Sequence, residues 1–398
     1  YMRDAMVALG RRGVESAALV HRHSLSIRTI KESFPVGEHC FQVVRTGMWA
    51  RFLFTPISPG FPRQFRHLIR SFKPDILHLH LPNPSVFWAL LLPSARRLPW
   101  IVHWHSDVIT SAHDWRLKLF YKFYRPFERA VLKRATAVVA TSLPYRDSSQ
   151  PLKEWMDQCH VIPLGVDADR FVENAGLVAD GANTVTTDNA GPDVDHRHGA
   201  VQPVRWRDHP PPLNILAIGR LTTDTGFQYQ FEAAAKSHNT RINIVGHGDQ
   251  ASRLKALSTS LDVQDRVTFH GNLSDTELAR QMSQCDCVCL PSIERTEAFG
   301  MVLLEAKYFG KATIVSDVPG SGMGWIVDDR STGLKVEPAN ADALATAFDQ
   351  LDNDREELMR MGQRGKEKFD QQFEINHAIE DLLTLYHQVV SEQNVQPG

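Results

Sequence analysis

Short apolar runs alternate with segments of helical periodicity along the first 170 residues of the chain. The runs have the length of strands, whereas the longer segments repeat apolar positions every three or four residues. Strands that alternate with helices are typical of a parallel, doubly wound sheet, in which ligands bind beyond the carboxyl ends of the strands. The predicted strands are Ser16–Val20, Cys40–Val44, Ile76–His80, Trp100–Trp104, Ala137–Ala140 and His160–Pro163. The predicted helices are Tyr1–Leu9, Phe61–Phe72, Ser85–Leu92, Leu117–Lys133 and Ser148–Trp155.

The same alternation returns after residue 213 and predicts a second doubly wound domain. Near the end of the chain, Asn376–Val390 carries apolar residues at helical spacing and predicts one more amphipathic helix. The predicted fold class is therefore α/β. In this half the predicted strands are Leu213–Ile218, Ile242–Val245, Val267–His270, Cys285–Leu290, Ala312–Ser316 and Gly333–Val336. The predicted helices are Phe227–Lys236, Asp275–Gln284 and Phe299–Phe309.

A polar segment divides the two halves. Residues 173–212 are rich in Gly, Ala, Asn, Asp, Thr and Pro and predict a flexible linker insertion between a domain at 1–172 and a domain at 213–372, with a crossover helix and tail at 373–398. The string Asp193–His198 contains residues that could bind a metal, but a flexible segment gives them no fixed geometry. We expect no metal there.

Composition and charge are those of an ordinary globular protein, with 42% hydrophobic and 23% charged residues among 398. The net charge of −2 conceals an asymmetry, because the first 170 residues carry 24 Lys and Arg against 13 Asp and Glu. This basic half predicts an anionic partner, although no segment resembles a nucleic-acid-binding module. Three of the five cysteines, in Cys285–Cys289, point to one face of a predicted strand, which favours packing over a zinc site.

The strongest candidate for chemistry is the stretch Leu290–Ala306, in which one carboxylate, Glu297, lies in a loop and another, Glu305, lies two turns into the helix that follows. The first backbone N–H groups of a helix have no intrahelical acceptor and can therefore hold an anion. A diphosphate against these amides, with a sugar or ribose beside each carboxylate, would satisfy both features. Here the amides belong to Phe299, Gly300, Met301 and Val302.

The two glutamates, with the sequence EAFG between them, resemble the E-x7-E motif of retaining GT-B glycosyltransferases of family 4, typified by bacterial mannosyl- and glucosyltransferases. Further motifs in register extend the resemblance over about 120 residues. It implies two Rossmann-like domains with the site in the cleft between them, no cofactor and no metal. It also implies a role for each motif residue. Glu297 would hold sugar hydroxyls, Glu305 the ribose and Arg220 the diphosphate, while Gly246 and Gly248 would allow backbone to approach the nucleotide.

Four histidines lie at two adjacent predicted strand ends, in Leu77–Leu81 and Val102–Asp107. They could suggest a metal, but hydrogen-bonded strand-end histidines are the more common arrangement. His105 is different, because it resembles the histidine that the family places against the donor sugar.

Two departures from the family affect the expected activity. Thr225 stands where the family has a lysine, and a lost charge-assisted contact costs about 1.5–3 kcal/mol. The family's first strand and glycine-rich loop are also missing before the first helix, so we expect the chain to be a fragment. In addition, Leu164 replaces an asparagine at the interdomain turn.

The resemblance implies a retaining glycosyltransferase that moves a hexose, with mannose as a guess from the family, from a nucleotide diphosphate sugar to a lipid-linked or saccharide acceptor in cell-surface polysaccharide (lipopolysaccharide) biosynthesis. The alternative is a weakened or inactive GT-B protein that binds nucleotide sugars or acts as a scaffold. Aromatic and cationic residues alternate in Trp115–Arg125, which favours contact with an anionic membrane over an ordinary surface helix. We therefore expect a cytoplasmic protein, peripheral on the inner face of the plasma membrane.

Overall fold

The fold is taken from a computed structural model that describes residues 1–36, 39–52, 55–108, 115–171 and 211–395. The predicted linker at 173–212 and the string Asp193–His198 fall almost wholly outside these residues. The strands are β1 Ala17–Leu25, β2 Ile30–Val36, β3 His39–Met48, β4 Ala50–Phe52, β5 Thr55–Ile57, β6 Leu77–Leu81, β7 Trp100–Trp104, β8 Ala137–Ala140, β9 Cys159–Val161, β10 Leu213–Ile218, β11 Thr240–Val245, β12 Val267–Gly271, β13 Cys287–Leu290, β14 Ala312–Ser316 and β15 Gly333–Val336.

The helices are α1 Met2–Arg11, α2 Phe61–Phe72, α3 Trp88–Leu91, α4 Pro93–Arg96, α5 Trp115–Arg134, α6 Leu143–Ser148, α7 Phe227–Lys236, α8 Ala251–Ser260, α9 Asp275–Gln284, α10 Met301–Tyr308, α11 Met323–Ile326, α12 Ala341–Asn353, α13 Arg355–Gln372 and α14 Ile375–Val395. Among the predicted helices, Ser148–Trp155 is wrong. The chain there passes from α6 through Pro151, which lacks a backbone N–H, into a short 3-10 helix at Lys153–Gln158. Ser85–Leu92 is a 3-10 turn followed by the short α3.

The second half forms one six-stranded parallel sheet in the order β12-β11-β10-β13-β14-β15. Its central strands β13 and β14 are mostly apolar and are buried along their whole length, as parallel sheets between helices require. The cysteines of β13 are buried in this core and not paired with one another, as their apolar setting predicts. The α/β fold class with two Rossmann-like units is confirmed.

The first half contains two larger sheets where the sequence predicts one. Strands β6-β7-β8-β9 form a parallel sheet, whereas β1, β3 and β2 form a separate sheet in which β2 is antiparallel. Strand β2 was not predicted because it is largely exposed and polar, and it contains Pro35, which suits only an edge strand. A cavity of about 720 Å³ lies between the edges of β1 and β6. Whether the family's first strand is missing from this region stays a prediction.

The two halves are joined by the last helix, α14, which returns to the first domain. Ile379, Leu382 and Leu385 of this helix pack against α1 and against apolar residues of β7 and β8. The turn at the crossing needs a glycine, because a Cβ on Gly165 would lie 2.6 Å from the Cα of Ile375. The contacts of α14 therefore hold the sheet that contains β6 and β7 beside the candidate site.

Candidate functional site

The E-x7-E stretch lies at the carboxyl end of β13. The strand ends at Leu290, a loop follows, and α10 begins at Met301 rather than at the predicted Phe299. The helix starts late because Gly300 has φ 90°, a left-handed conformation that a side chain rarely adopts. The buried Phe299 packs in the core beside this turn. Of the four predicted amide donors, Met301 and Val302 therefore lie in the first helical turn, and Phe299 and Gly300 precede it.

Two hydrogen bonds hold Glu297 in the loop, one at its carboxylate and one at its backbone carbonyl oxygen. Its carboxylate accepts a hydrogen bond from the backbone N–H of Gly300, and its carbonyl oxygen accepts one from Ser321 Oγ at 2.5 Å. Burial raises the pKa of Glu297, while the Gly300 hydrogen bond and the positive charge of Arg220 oppose that rise. The carboxylate is thus fixed in place, and a cation lies near it.

Glu305 has a partner that the sequence did not reveal. Its Oε1 accepts a hydrogen bond from Arg170 Nη2 at 2.7 Å, and Arg170 Nη1 reaches Asp4 Oδ2 at 3.3 Å. Within the protein, an arginine from the end of the first domain pairs with this carboxylate, and a polyol as a further partner of Glu305 stays a prediction. Burial raises the pKa of Glu305, and the Arg170 charge opposes the rise.

Arg220 and Thr225 lie in the loop after β10, where Arg220 is exposed. Thr225 Oγ donates to the carbonyl oxygen of Thr222 at 2.7 Å, inside a 3-10 turn. Asp224 binds this loop to the E-x7-E loop, because its Oδ2 accepts from Thr296 Oγ at 2.8 Å. Burial alone would raise the pKa of Asp224, but hydrogen bonds from Thr222 and Thr296 outweigh it and lower the pKa.

Gly246 and Gly248 have a close neighbour within the protein. A Cβ on Gly246 would lie 1.9 Å from the carbonyl oxygen of Gly219, and a Cβ on Gly248 would lie 2.3 Å from that of Leu221. These glycines are required because two backbone loops pass against each other. Close approach of a nucleotide is a second possible reason that stays a prediction.

The four histidines form two hydrogen-bonded pairs at the ends of β6 and β7. His80 Nδ1 lies 2.8 Å from His105 Nε2, and His78 Nε2 lies 3.2 Å from His103 Nδ1. The rings within each pair are nearly parallel, at 14° and 15°, with centroids 5.1 and 5.3 Å apart, which suits in-plane N–H···N hydrogen bonds. Ligand nitrogens of His78, His80 and His103 all lie within 4.8 Å of one another. One nitrogen of each ring lies against a partner nitrogen, which favours the hydrogen-bonded interpretation over a metal site, and Nε2 of His103 is buried with no hydrogen-bond partner among the described residues.

Burial keeps the pKa of every histidine in this cluster low. It lowers the pKa of His105 to about 4 and that of His78 to about 3, and it lowers the pKa values of His80 and His103 well below the usual range. All four rings are therefore neutral at pH 7.

An ion pair between Asp107 and Arg295 joins the two sides of the cleft. Asp107 lies two residues after His105, and Arg295 lies two residues before Glu297, so the loops that carry these side chains are tied together. Arg295 also donates to the carbonyl oxygen of Ser148 at 2.9 Å and lies over the Tyr145 ring at 4.7 Å. Neither Arg295 nor Arg170 was predicted from the sequence, because their partners are more than a hundred residues away and no periodicity connects them.

The surface of α5 exposes three large apolar side chains at helical spacing. Leu119, Phe123 and Phe127 are 48%, 69% and 50% exposed, and Lys122 and Arg125 beside them are exposed as well. The side chains of residues 115–117, which belong to the predicted membrane segment, are outside the described part of the chain. None of the described helices combines the length and the apolarity that crossing a bilayer requires.

Comparisons with known proteins agree with this architecture. Residues 1–165 match the family described as glycosyl transferase 4-like domain, and residues 206–368 match glycosyl transferases group 1. The chain is 27% identical to O-antigen chain mannosyltransferase C of Escherichia coli over 89% of this chain and 86% of that one. It is 26% identical to a D-rhamnosyltransferase of Pseudomonas aeruginosa over 85% of this chain and 79% of that one.

Solved structures share the fold. Sucrose-phosphate synthase from Thermosynechococcus elongatus superposes with a TM-score of 0.71 at 22% identity, covering 98% of this chain and 93% of that one. The Anabaena protein HepE in complex with UDP superposes with a TM-score of 0.62 at 16% identity, covering 82% of each chain.

Proposed function

We propose that this chain, a glycosyltransferase with the GT-B fold, transfers a hexose with retention of configuration from a nucleoside diphosphate sugar to a lipid-linked or saccharide acceptor. The observation that carries the proposal is the placement of Glu297 and Glu305 on either side of the start of α10, at the carboxyl edge of the second sheet. The ion pair of Asp107 with Arg295 brings the loop of His105 to the same cleft. Mannose is our first candidate sugar and guanosine our first candidate base.

The chemistry follows from the charge that develops during transfer. As the bond to the sugar breaks, negative charge grows on the diphosphate, and fixed N–H donors and cations stabilise that charge most effectively. Arg220 and the first-turn amides of Met301 and Val302 would hold the diphosphate. Glu297 would bind sugar hydroxyls and orient the sugar, and Glu305 would bind ribose hydroxyls through Oε2 while Arg170 stays on Oε1.

His105 would complete the site from the first domain. Its ring is neutral because burial lowers its pKa to about 4, so it can exchange hydrogen bonds with a sugar hydroxyl without adding charge. Positive protein groups then take the part that a metal ion plays in other transferases, and we propose that the reaction is metal-independent.

The relatives support a role in surface polysaccharide synthesis, because one is an O-antigen mannosyltransferase and another is a lipopolysaccharide core glycosyltransferase of Rhizobium meliloti. Acceptors in such pathways are lipid-linked or saccharide chains. A panel of nucleotide sugars, including GDP-mannose and UDP-glucose, should be incubated with acceptors and the products identified by mass spectrometry. Failure of every donor to give transfer or hydrolysis would refute the proposal.

The catalytic assignments are tested by Glu297→Ala and His105→Ala. Each should remove most transfer, about a hundredfold or more, because fixed groups at the reacting centre contribute on this scale. The melting temperature should stay within a few degrees, since neither side chain fills the apolar core. A large loss of stability would show instead that the residue is structural.

We also propose that α5 docks the enzyme on the inner face of the plasma membrane. Its apolar stripe can enter the bilayer interface while the neighbouring cations meet anionic lipid headgroups. Phe123→Ser should weaken binding to anionic vesicles, and added salt should weaken it further because exposed charges are screened over about 8 Å at physiological ionic strength. The control is Met359→Ser, which removes an apolar side chain of similar exposure (59%) from the second domain. Equal binding to neutral and anionic vesicles would contradict the docking.

A second candidate function is nucleotide-sugar binding without turnover. It is favoured by Thr225, which leaves the diphosphate without the second cation of the family. Isothermal titration with GDP-mannose and UDP-glucose separates the two, because tight binding with no product over long incubation would support the binding protein.

A further inference from the structure

His105 has a close hydrogen-bond partner that the proposed function does not use. His80 Nδ1 lies 2.8 Å from His105 Nε2, and the two rings are within 14° of coplanarity. The backbone beside them is fixed as well, because His105 N–H donates to the carbonyl oxygen of Leu81 at 3.1 Å. Hydrogen bonds therefore hold His105 both at its backbone N–H and at its imidazole ring.

Desolvation keeps both half-buried rings neutral by lowering the pKa of each, which constrains their protons. Between two neutral imidazoles, one nitrogen must donate and the other accept. The direction of this hydrogen bond decides the state of the other nitrogen of His105: if Nε2 donates, Nδ1 carries no proton, and if Nε2 accepts, Nδ1 is protonated, because a neutral imidazole carries one proton. A change in the protonation of Nδ1 of His80 therefore also changes the protonation of Nδ1 of His105, on the opposite edge of that ring.

We propose that His80 is a positioning residue for His105, fixing both its ring orientation and its tautomer in the donor site. The inference rests on the catalytic role of His105 in the proposed function. Hydrogen-bonded partners behind a reacting imidazole act in this way in many enzymes, since a wrong tautomer offers an acceptor where a donor is needed.

The chain contains a matched control for this role. His78 lies two residues earlier on the same strand and face, is also half-buried, and makes an equivalent bond to His103 at 3.2 Å. Its other nitrogen lies 2.6 Å from the hydroxyl of Tyr386. Loss of His78 therefore costs packing and hydrogen bonds like those of His80, but leaves the His80–His105 bond in place.

The test compares His80→Leu, His80→Asn and His78→Leu with GDP-mannose and UDP-glucose as the probes. For whichever donor the parent protein uses, His80→Leu should lower kcat about 10- to 100-fold, with the donor KM changed less than about threefold, because the geometry of a reacting group is lost rather than ground-state binding. His80→Asn places an amide near the position of Nδ1 and should restore kcat to within about threefold to fivefold. His78→Leu should stay within about threefold of the parent.

A second readout does not depend on activity. The ¹⁵N chemical shifts of histidine ring nitrogens distinguish the two neutral tautomers, so the signals of His105 should show one tautomer in the parent protein and in His78→Leu. In His80→Leu they should show a mixture. His105→Ala, measured alongside, identifies the His105 signals.

The outcomes distinguish the positioning role of His80 from the role of His105 in the proposed function. Equal losses of kcat in His78→Leu and His80→Leu would show that the cluster is only structural, and unchanged His105 signals in His80→Leu would overturn the positioning role. Full activity of His105→Ala would instead overturn the proposed function of His105 itself. Loss of activity on treatment with EDTA that Zn²⁺ restores would replace the hydrogen-bonded pairs by a metal site and also overturn the proposal.

Discussion

The buried lysine of α10 allows a quantitative test of the structure. Lys307, two residues after Glu305, is 0% exposed, and its Nζ has no hydrogen-bond partner among the described residues. Burial lowers its pKa from 10.5 to about 7, and the nearby charge of Lys368 acts in the same direction. We predict that Lys307→Met, which keeps the length of the side chain without the amine, makes the protein more stable.

The magnitude follows from linkage between protonation and folding. One pKa unit corresponds to about 1.4 kcal/mol. Lowering the pKa of Lys307 from 10.5 to about 7 therefore corresponds to a loss of about 4–5 kcal/mol in the free energy of unfolding at any pH where Lys307 is protonated in both states. Relaxation around a buried charge recovers part of that cost, and even the replacement of paired buried charges by apolar residues of similar volume can stabilise a protein by about 1–4 kcal/mol. We expect Lys307→Met to raise the free energy of unfolding by about 3 kcal/mol at pH 7.

The sign of the pH dependence is fixed by the direction of the shift. Between the folded pKa near 7 and the unfolded pKa of 10.5, the unfolded chain binds more protons, so the stability of the parent protein rises with pH. Below pH 7 both states are protonated and the full penalty remains. The advantage of Lys307→Met should therefore shrink by about 1 kcal/mol per pH unit, to roughly 1 kcal/mol at pH 9.

The assay is chemical denaturation of the parent and variant at pH 7 and pH 9, with Lys153→Met as the control. Lys153 is exposed, so its substitution should change stability by less than about 0.5 kcal/mol at either pH. A destabilised Lys307→Met, or an advantage that does not change with pH, would refute the assignment of Lys307 as a buried, unpaired amine. Transfer activity should be unchanged, because Lys307 points into the core beside Gly365 rather than into the cleft.

Further variants test the contacts around the cleft. Thr225→Lys should raise kcat more than donor affinity, because charge on the diphosphate grows as the bond breaks. The lost Thr225 hydrogen bond should lower the free energy of unfolding by no more than about 1 kcal/mol. An unchanged kcat with an intact fold would contradict this prediction. Arg170→Ala leaves Glu305 buried without its cation, which raises the pKa of Glu305 further, so donor affinity should fall most steeply as the pH is lowered, as titration calorimetry can measure. Arg295→Ala should lower both the melting temperature and kcat, because it breaks the ion pair across the cleft, whereas Arg360→Ala removes an exposed pair and should do neither; equal effects of the two would show that the Arg295 contact has no special role.

Local sequence pattern was sufficient for the core of the second half. The strands of the β10–β15 sheet were predicted to within two residues at each end, because their buried positions are apolar and a Gly or Pro lies at or near most of their ends. Strands β6 and β7 were predicted to within one residue, although in β6 the buried leucines alternate with His78 and His80. Strand β2 was missed because an exposed edge strand needs no apolar run, and its pairing with β3 depends on neighbours rather than on its own residues.

The candidate site shows the same division. The residue types of Glu297, Glu305 and His105, and their places at a helix start and a strand end, could be read from the sequence because the loops at these ends are set by local pattern. Tertiary structure alone decided that Arg170 pairs with Glu305 and that His80 bonds to His105. Contacts between distant segments leave no periodic signal in the chain, since they depend on how two separately folded sheets come to lie against each other.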